Sequence, residues 1–321
     1  MYFPYLRGKQ FELMALRDFS IDYSSSKKII PIIEPVKQQM NGMNTALSIM
    51  IQNNMNFAII LNPNDGDFKH GNIDNDILKH LPHIVENKNK WIPAYIYKNN
   101  PEILLEHASA NELDSLMIIL PNGADISDKK LTSFLENKKV KYIVYGNSGA
   151  RSAKVYLLKL GKHIISLEDR FNSRTRNADY ENNKDEFFSD DFAFYKIDKL
   201  YGFSDYVTMG KDFQDGGMLP YAIAIHLTYL KSSEEIYVHH FVSDSNYDQS
   251  NIKKKFYEAA QKIEPFYNEH NILHTSAVNE FIERAKSEDG YPGLGYIKKL
   301  SIKNHLELIN VSIRRNAPFT L

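Results

Sequence analysis

The chain has 321 residues and a formal net charge of -1 at pH 7, with 43% hydrophobic and 25% charged residues. These values are typical of a globular protein, and the near-zero charge excludes recruitment of nucleic acid or an anionic membrane by a global field. There is no cysteine, which excludes disulfides, thiolate metal sites and a cysteine nucleophile and suits a reducing cytoplasm. Neither a signal-peptide start nor an apolar run of about 18 residues occurs, so we expect a cytoplasmic protein without a membrane span.

Eight short apolar runs rich in β-branched residues follow one another along the first two thirds of the chain. They are continuous rather than alternating, as expected for strands buried on both faces of a parallel sheet. Helix-like amphipathic segments such as FELMALRDF and NTALSIMIQNN lie between them. The runs are YFPYLR, IIPIIEPV, FAIILNP, WIPAYIY, LMIILPNG, YIVYGN, HIISLED and YVTMGKDF.

This alternation predicts a (β/α)8 TIM-like barrel of the α/β class, with Tyr5 in the first strand and Val207 in the eighth. A doubly wound open sheet is the alternative, which the lack of a dinucleotide-type glycine fingerprint disfavours. After Gly217, YAIAIHLTYL and IYVHHFVSD predict an antiparallel β-hairpin outside the barrel, and helices follow to the C-terminus. We expect one elaborated domain over 1–321, with a barrel core of 1–217 and the hairpin and helices in 218–321.

The opening YFPYLRGKQFELMAL, the strand PIIEPV, the strand end LEDRF and the segment GFSDYV resemble the beta protein family of phages and bacteria. The resemblance spans nearly the whole chain from Tyr2 onward. It implies a barrel-like fold, and it implies a setting near mobile-element or phage-defence genes. It supplies no mechanism.

In barrels of this kind the active site lies at the C-terminal ends of the strands, so the residues that follow each apolar run are the candidate site residues. Acids, cations and amides recur there, and we predict that they form one wall of a ligand site. A merely solvated rim is the alternative. The positions are Arg7, Lys9, Glu34, Lys37, Asn62, Asn64, Lys98, Asn122, Asn147, Glu168, Asp169, Arg170, Lys211 and Asp212, with Asp205 and Tyr206 at the start of the eighth run.

Arg7 and Lys9 flank Gly8 at the end of the first predicted strand. Two cations beside the N-terminus of a helix can bind a phosphate or a carboxylate. The alternative is that Arg7 pairs with Glu12 or Glu34 and holds the rim together.

Glu34 and Asp169 are the candidate catalytic residues, as an acid–base pair or, with Asn62, as oxygen ligands of Mg²⁺. The remaining candidates for substrate binding are Arg7, Lys9, Asn62, Arg170, Arg174, Asp205 and Tyr206. We expect these side chains to face one cavity at the C-terminal ends of the strands. Carboxylates would lie beside guanidinium groups there, so we expect their pKa values to be lowered.

Arg174 and Arg176 lie in a polar segment that runs to Asp191. A loop of that length is often a lid, and these arginines can close over a phosphate. They can equally pair with Asp179 and Glu181.

Two functions therefore remain open. The first is an enzyme acting on a phosphorylated or nucleotide-like ligand in phage–host conflict. The second is a non-catalytic sensing or binding component that recognises a phage component or a partner protein. The mixture of acids and cations favours the enzyme, whereas the lack of a strong catalytic motif favours the binding protein.

Overall fold

The computed structural model describes residues 1–24, 26–69, 77–146, 151–216, 219–287 and 289–315. The chain divides into two compact units. The barrel unit comprises Met1–Leu13, Ser20–Glu168 and Phe194–Asp205, and the second unit comprises Met14–Phe19, Asp169–Ala193 and Tyr206–Leu321. The predicted boundary between Gly217 and Met218 lies outside the described residues, and the prediction of a single domain stays a prediction.

Eight parallel strands form a nearly closed barrel in the first unit, which confirms the predicted TIM-like fold. Each strand pairs with its neighbour in chain order. A parallel bridge from Tyr2 to Phe203 lies at the seam between the first and last strands, and a second bridge joins Tyr2 to Ile29, just before β2. The strands are β1 (Tyr5–Leu6), β2 (Ile32–Ile33), β3 (Phe57–Ile60), β4 (Trp91–Ile96), β5 (Leu116–Ile119), β6 (Val140–Gly146), β7 (His163–Glu168) and β9 (Gly202–Asp205).

The barrel strands are short, and most of their residues are buried, as expected for strands covered on both faces. Tyr5 lies in β1 as predicted, but the prediction that Val207 lies in the eighth strand is wrong. Asp205 ends that strand instead of preceding it, in register with Glu168 of β7. Val207 lies in a short 3₁₀ turn with a φ of 49°, a left-handed conformation that no strand accommodates.

Helices alternate with the barrel strands, and their starts follow from local chemistry. Pro101 occupies the first turn of one helix, where its missing N–H costs nothing. The Asp128 carboxylate caps another by accepting the Lys130 N–H. These helices are α1 (Gln10–Asp22, of which Met14–Phe19 is counted with the second unit), α2 (Asn41–Gln52), α3 (Pro82–Val85), α4 (Pro101–Ala110), α5 (Lys129–Glu136) and α6 (Arg151–Lys159).

A three-stranded antiparallel sheet lies in the second unit. Its strands β10 (Ala224–Leu230) and β11 (Ile236–Val242) form the predicted hairpin, which is confirmed. The third strand, β8 (Asp185–Ser189), pairs with β11 inside the segment that the sequence predicts as a loop. That prediction is wrong. The strand begins with two acids, Asp185 and Glu186, so its sequence looks polar although Phe188 and Ser189 are buried.

Helices cover one face of this sheet. Ile225, Leu227 and Phe241 of the sheet share a hydrophobic core with Phe256 and Phe281 of the helices. Burial of such side chains stabilises the unit by roughly 1.5–3 kcal/mol each. The helices that follow β7 are α7 (Asp191–Phe194), α8 (Ile252–Ala260), α9 (Ile263–Glu269), α10 (Ser276–Lys286) and α11 (Leu294–Arg315). Among the described residues, we find no helix that combines the length and the apolar character needed to traverse a bilayer.

Candidate functional site at the strand ends of the barrel

Arg7 and Glu34 lie together at the C-terminal ends of β1 and β2. The Arg7 Nε atom is 3.3 Å from Asp65 Oδ2 and 3.9 Å from Glu34 Oε2. The Tyr5 hydroxyl donates to Glu34 Oε2 at 2.6 Å, and the Asn64 N–H donates to Glu34 Oε1 at 2.7 Å. Two acids, a guanidinium and a phenol therefore share one corner of the barrel rim.

Burial dominates the electrostatics of Glu34, whose side chain is 2% exposed. Burial raises the pKa of this carboxyl above its usual value, although the hydrogen bonds from Tyr5 and Asn64 and the charge of Arg7 oppose the shift. The Asp65 charge adds to the increase. The predicted fall in the pKa of the rim acids is therefore wrong for Glu34, because the prediction counted neighbouring charges and omitted desolvation.

The start of α1 already has an acceptor of its own. The Arg7 N–H donates to Glu12 Oε2 at 2.6 Å, and Gly8 between them has a φ of 60°. Burial raises the pKa of Glu12, against the charges of Lys9 and Arg7. The Glu12 carboxylate thus occupies the position at the helix start where the sequence predicts an external anion.

Two further candidates in the barrel unit have buried partners. The Asn62 amide donates to the Ile96 carbonyl at 2.7 Å and accepts from the Ile96 N–H at 2.8 Å, so it joins the end of β3 to β4. Asp205 is 1% exposed and accepts the Tyr2 hydroxyl at 2.6 Å. The structure brings Arg7 and Glu34 together, whereas these contacts tie Asn62 and Asp205 to other strands.

Asp169 lies in the second unit, directly after β7. Partial burial of its carboxyl raises its pKa, although the residue as a whole is exposed. Hydrogen bonds from the backbone of Lys211 and Phe171 lower this pKa, and the charge of Asp212 raises it. For Asp169, too, the predicted fall in pKa is wrong.

The arginines that follow β7 pair with acids of the second unit. Arg170 makes a bidentate pair with Asp191, at 3.0 Å from Nε to Oδ2 and 2.8 Å from Nη2 to Oδ1. Arg174 pairs with the buried Glu186. Burial alone would raise the pKa of Glu186, but hydrogen bonds from Asn172 and Arg174 lower it overall.

Arg176 pairs with Asp179 at 2.7 Å, as one of the alternatives predicted. Asp179 lies in a 3₁₀ turn at Asn177–Asn182, directly after Arg176, and β8 follows this turn. The segment after β7 is therefore partly built from regular structure.

Other candidate site residues lie next to the ends of helices and strands. Lys9 is half-buried just before α1, and Tyr206 is half-buried between β9 and its 3₁₀ turn. Lys98 follows β4. Its pKa is lowered overall, because partial burial outweighs the opposing effect of the Glu34 charge. Asn147 lies outside the described residues.

The candidate acids do not belong to a cluster of metal ligands in the described part of the chain. The described residues contain no group of three or more histidines and acids arranged to hold a metal ion. Both oxygens of Glu34 accept hydrogen bonds from the protein, and the Asn62 oxygen accepts the Ile96 N–H. Each of these oxygens therefore already accepts one hydrogen bond within the protein, and the predicted binding of Mg²⁺ stays a prediction.

Sequence reasoning missed the acids that hold the cations. Asp65 pairs with Arg7, Asp191 with Arg170, and Glu186 with Arg174. Asp65 carried a signal, since it lies in the polar segment that follows the third predicted strand. Glu186 carried none, because it lies on a strand that the sequence did not reveal.

A scan against protein-family models gave no match, and a search of the curated proteins gave none either. Function is therefore inferred from the geometry of the barrel unit and of the second unit.

Proposed function

We propose that the barrel unit is an enzyme that binds a small ligand with an anionic group at the C-terminal strand ends, and that Glu34 transfers a proton there. The observation that carries this proposal is the buried Glu34 carboxyl beside Arg7, with a raised pKa. Carboxyls with raised pKa values at such positions are suited to general acid–base chemistry near neutral pH.

The neighbours of Glu34 support this role. The Tyr5 hydroxyl and the Asn64 N–H each bind one of its oxygens and so fix its orientation. Arg7 supplies a guanidinium that a phosphoryl or carboxylate group of the ligand can engage in exchange for Asp65. The ligand class that fits these groups is a phosphorylated or nucleotide-like compound.

The proposed biological setting is phage–host conflict in the cytoplasm. Its support is the resemblance of the N-terminal and strand-end motifs to a phage and bacterial family, together with a chain that contains no cysteine.

A second candidate function is a non-catalytic binding or sensing protein that recognises a phage component or a partner protein. The observation that favours it is the pairing of the predicted ligand-binding cations with acids. Arg7, Arg170 and Arg174 each have a carboxylate partner within the protein. Such pairing within each unit is typical of stabilising ion pairs and not of an open anion site.

The experiment compares Glu34→Gln with Glu12→Gln in the full chain. Both acids are buried and both have raised pKa values, but Glu12 accepts a hydrogen bond at a helix start and is not proposed to transfer protons. The readouts are protection of host cells from phage, turnover of a panel of nucleotides and phosphorylated metabolites, and the melting temperature.

The enzyme proposal expects Glu34→Gln to abolish turnover and protection at a nearly unchanged melting temperature, and Glu12→Gln to lower stability without a selective loss of turnover. Asp169→Asn tests the second candidate acid in the same way. Full activity of Glu34→Gln would contradict the proposal. Protection without turnover, retained in Glu34→Gln, would support the sensing alternative.

A further inference from the structure

An aspartate and a histidine form a hydrogen-bonded pair on one face of the antiparallel sheet in the second unit. Asp185 of β8 and His239 of β11 are cross-strand partners in the register of the sheet, so their side chains share a face. The His239 Nδ1 atom lies 3.3 Å from Asp185 Oδ1. A carboxylate only accepts hydrogen bonds, so in the neutral imidazole Nδ1 carries the proton and Nε2 carries a lone pair.

Two other donors hold the Asp185 carboxylate in place. The Tyr229 hydroxyl lies 2.9 and 3.0 Å from its two oxygens, and Lys231 Nζ donates to Oδ2 at 2.9 Å. Burial alone would raise the pKa of Asp185, but the hydrogen bonds from Lys231, Tyr229 and the imidazole lower it overall. The carboxylate is therefore ionised at neutral pH and fixed in position beside the ring.

Aromatic packing fixes the His239 ring and leaves Nε2 accessible. The ring centroid lies 3.9 Å from that of Phe266 and 4.5 Å from that of Phe241. Burial lowers the pKa of His239, against the hydrogen bond and the charge of Asp185, so the ring is neutral near pH 7. The side chain is 14% exposed. Its Nε2 atom has no hydrogen-bond partner in the described part of the chain and is not enclosed, unlike Nε2 of the adjacent His240.

We propose that His239 accepts a phosphoryl group on Nε2 from a small acyl phosphate, and that Asp185 stabilises the charge that the ring acquires. The Nε2 lone pair attacks phosphorus and forms the N–P bond. The bond from phosphorus to the acyl oxygen breaks, and its electron pair leaves with the carboxylate product. The proton stays on Nδ1, so the positive charge of the phosphorylated ring lies beside the Asp185 carboxylate.

The charges near His239 favour an anionic donor. The Lys231 ammonium binds the same carboxylate as the imidazole, and the charge of Lys184, which directly precedes β8, also reaches the ring. Glu181 offsets Lys184 in part. Ammonium groups beside the nucleophile attract phosphoryl oxygens. This inference goes beyond the proposed function, because the pair lies in the second unit and does not depend on proton transfer by Glu34.

The experiment incubates the full chain with acetyl phosphate and follows acid-labile phosphate on histidine by phosphorus nuclear magnetic resonance and by mass spectrometry of peptides. His270 is the internal comparison. It is an exposed residue just after α9, and its Nδ1 donates to the Phe266 carbonyl at 2.9 Å instead of to a carboxylate. Exposure alone predicts that His270 reacts faster. The proposal expects His239 to react about tenfold faster than His270, since its hydrogen bond is to a charged group.

Asp185→Asn should slow phosphorylation of His239 about tenfold, because the ring then lacks a charged partner. Glu186→Gln is the matched control. It removes a carboxylate from the next position of β8, whose side chain faces the other side of the sheet, and it weakens contacts with Arg174 and Asn172. Its melting temperature should fall, but His239 should react at the wild-type rate.

Absence of phosphate on His239, or a rate no higher than that of His270, would overturn the proposal. Equal slowing in Asp185→Asn and Glu186→Gln would also overturn it, by showing that the rate follows stability and not the carboxylate beside the ring.

Discussion

Asn62→Ala tests whether this strand-end amide stabilises the barrel. Its side chain is 5% exposed and makes two hydrogen bonds with the backbone of Ile96, at 2.7 and 2.8 Å. Each hydrogen bond contributes about 0.5–1.5 kcal/mol net, so the loss of both should lower the free energy of unfolding by about 2 kcal/mol. For a unit of this size that corresponds to a melting temperature about 4–8 °C lower.

The assay is thermal and urea denaturation followed by circular dichroism, with Asn64→Ala as the control. Asn64 lies two residues away, its side chain is exposed, and its backbone N–H to Glu34 survives the substitution. Asn62→Asp sharpens the test, because it keeps the acceptor for the Ile96 N–H but places a carboxylate against the Ile96 carbonyl. We expect Asn62→Asp to be destabilised and Asn64→Ala to match the wild type. An Asn62→Ala protein as stable as the wild type would refute the structural role and favour ligand binding.

Three further predictions concern the backbone and the buried titratable groups. Gly8→Ala should destabilise the barrel by about 1–2 kcal/mol, since a φ of 60° is left-handed and the new Cβ would lie 2.7 Å from Met43 Cε and 3.2 Å from the Glu34 carbonyl oxygen; an unchanged urea midpoint would contradict this. Because the folded-state pKa of Glu34 is raised, the folded state binds its proton more tightly than the unfolded state, so stability is lost as pH rises above the usual pKa of 4.5. From pH 4 to pH 7, the urea midpoint of Glu34→Gln should therefore rise relative to that of the wild type. If the difference between the two midpoints is the same at both pH values, the raised pKa is contradicted. His240, whose Nδ1 lies 2.8 Å from His226 Nδ1, has a pKa lowered from 6.5 to about 4 by burial, so stability falls as pH drops below 6.5, by about 2 kcal/mol at pH 5. His240→Asn should flatten that acid-side loss in melting temperature, and an equally steep loss would exclude His240 as its source.

The barrel was predictable from sequence because its strands are buried on both faces. Runs such as FAIILNP and LMIILPNG correspond to β3 and β5, and such continuous apolar runs cannot be mistaken for half-exposed strands. The end of the last strand was not predictable in this way. Val207 is β-branched and apolar, and its positive φ is imposed by the turn after Asp205 and not by its own preference.

The candidate site was predictable in position but only partly in its pairing, because the pair of Arg7 with Glu34 was one of the predicted alternatives and the pair of Arg7 with Asp65 was not. Because Arg7 and Glu34 each follow a predicted strand, the sequence placed them on one rim of the barrel. In the structure, Arg7 Nε lies 3.9 Å from Glu34 Oε2. Which acid holds each cation depends on residues far along the chain, such as Asp65 for Arg7, 58 residues away. The direction of the Glu34 pKa shift was missed because desolvation depends on packing density, and charge spacing in a sequence carries no information about it.

The seam of the barrel has a consequence for the order in which the unit can fold. The Tyr2 hydroxyl binds Asp205 across 203 residues of chain, and the Ser204 hydroxyl donates to the Phe3 carbonyl across 201. During synthesis at about 5–20 residues per second, the first strand waits on the order of ten seconds or longer before its partner at the seam has been made. Contacts of such long sequence separation form slowly. We therefore expect the nascent chain to pass through an open sheet with two unpaired edges. In refolding experiments, the amides at this seam should be the last to acquire protection from hydrogen exchange.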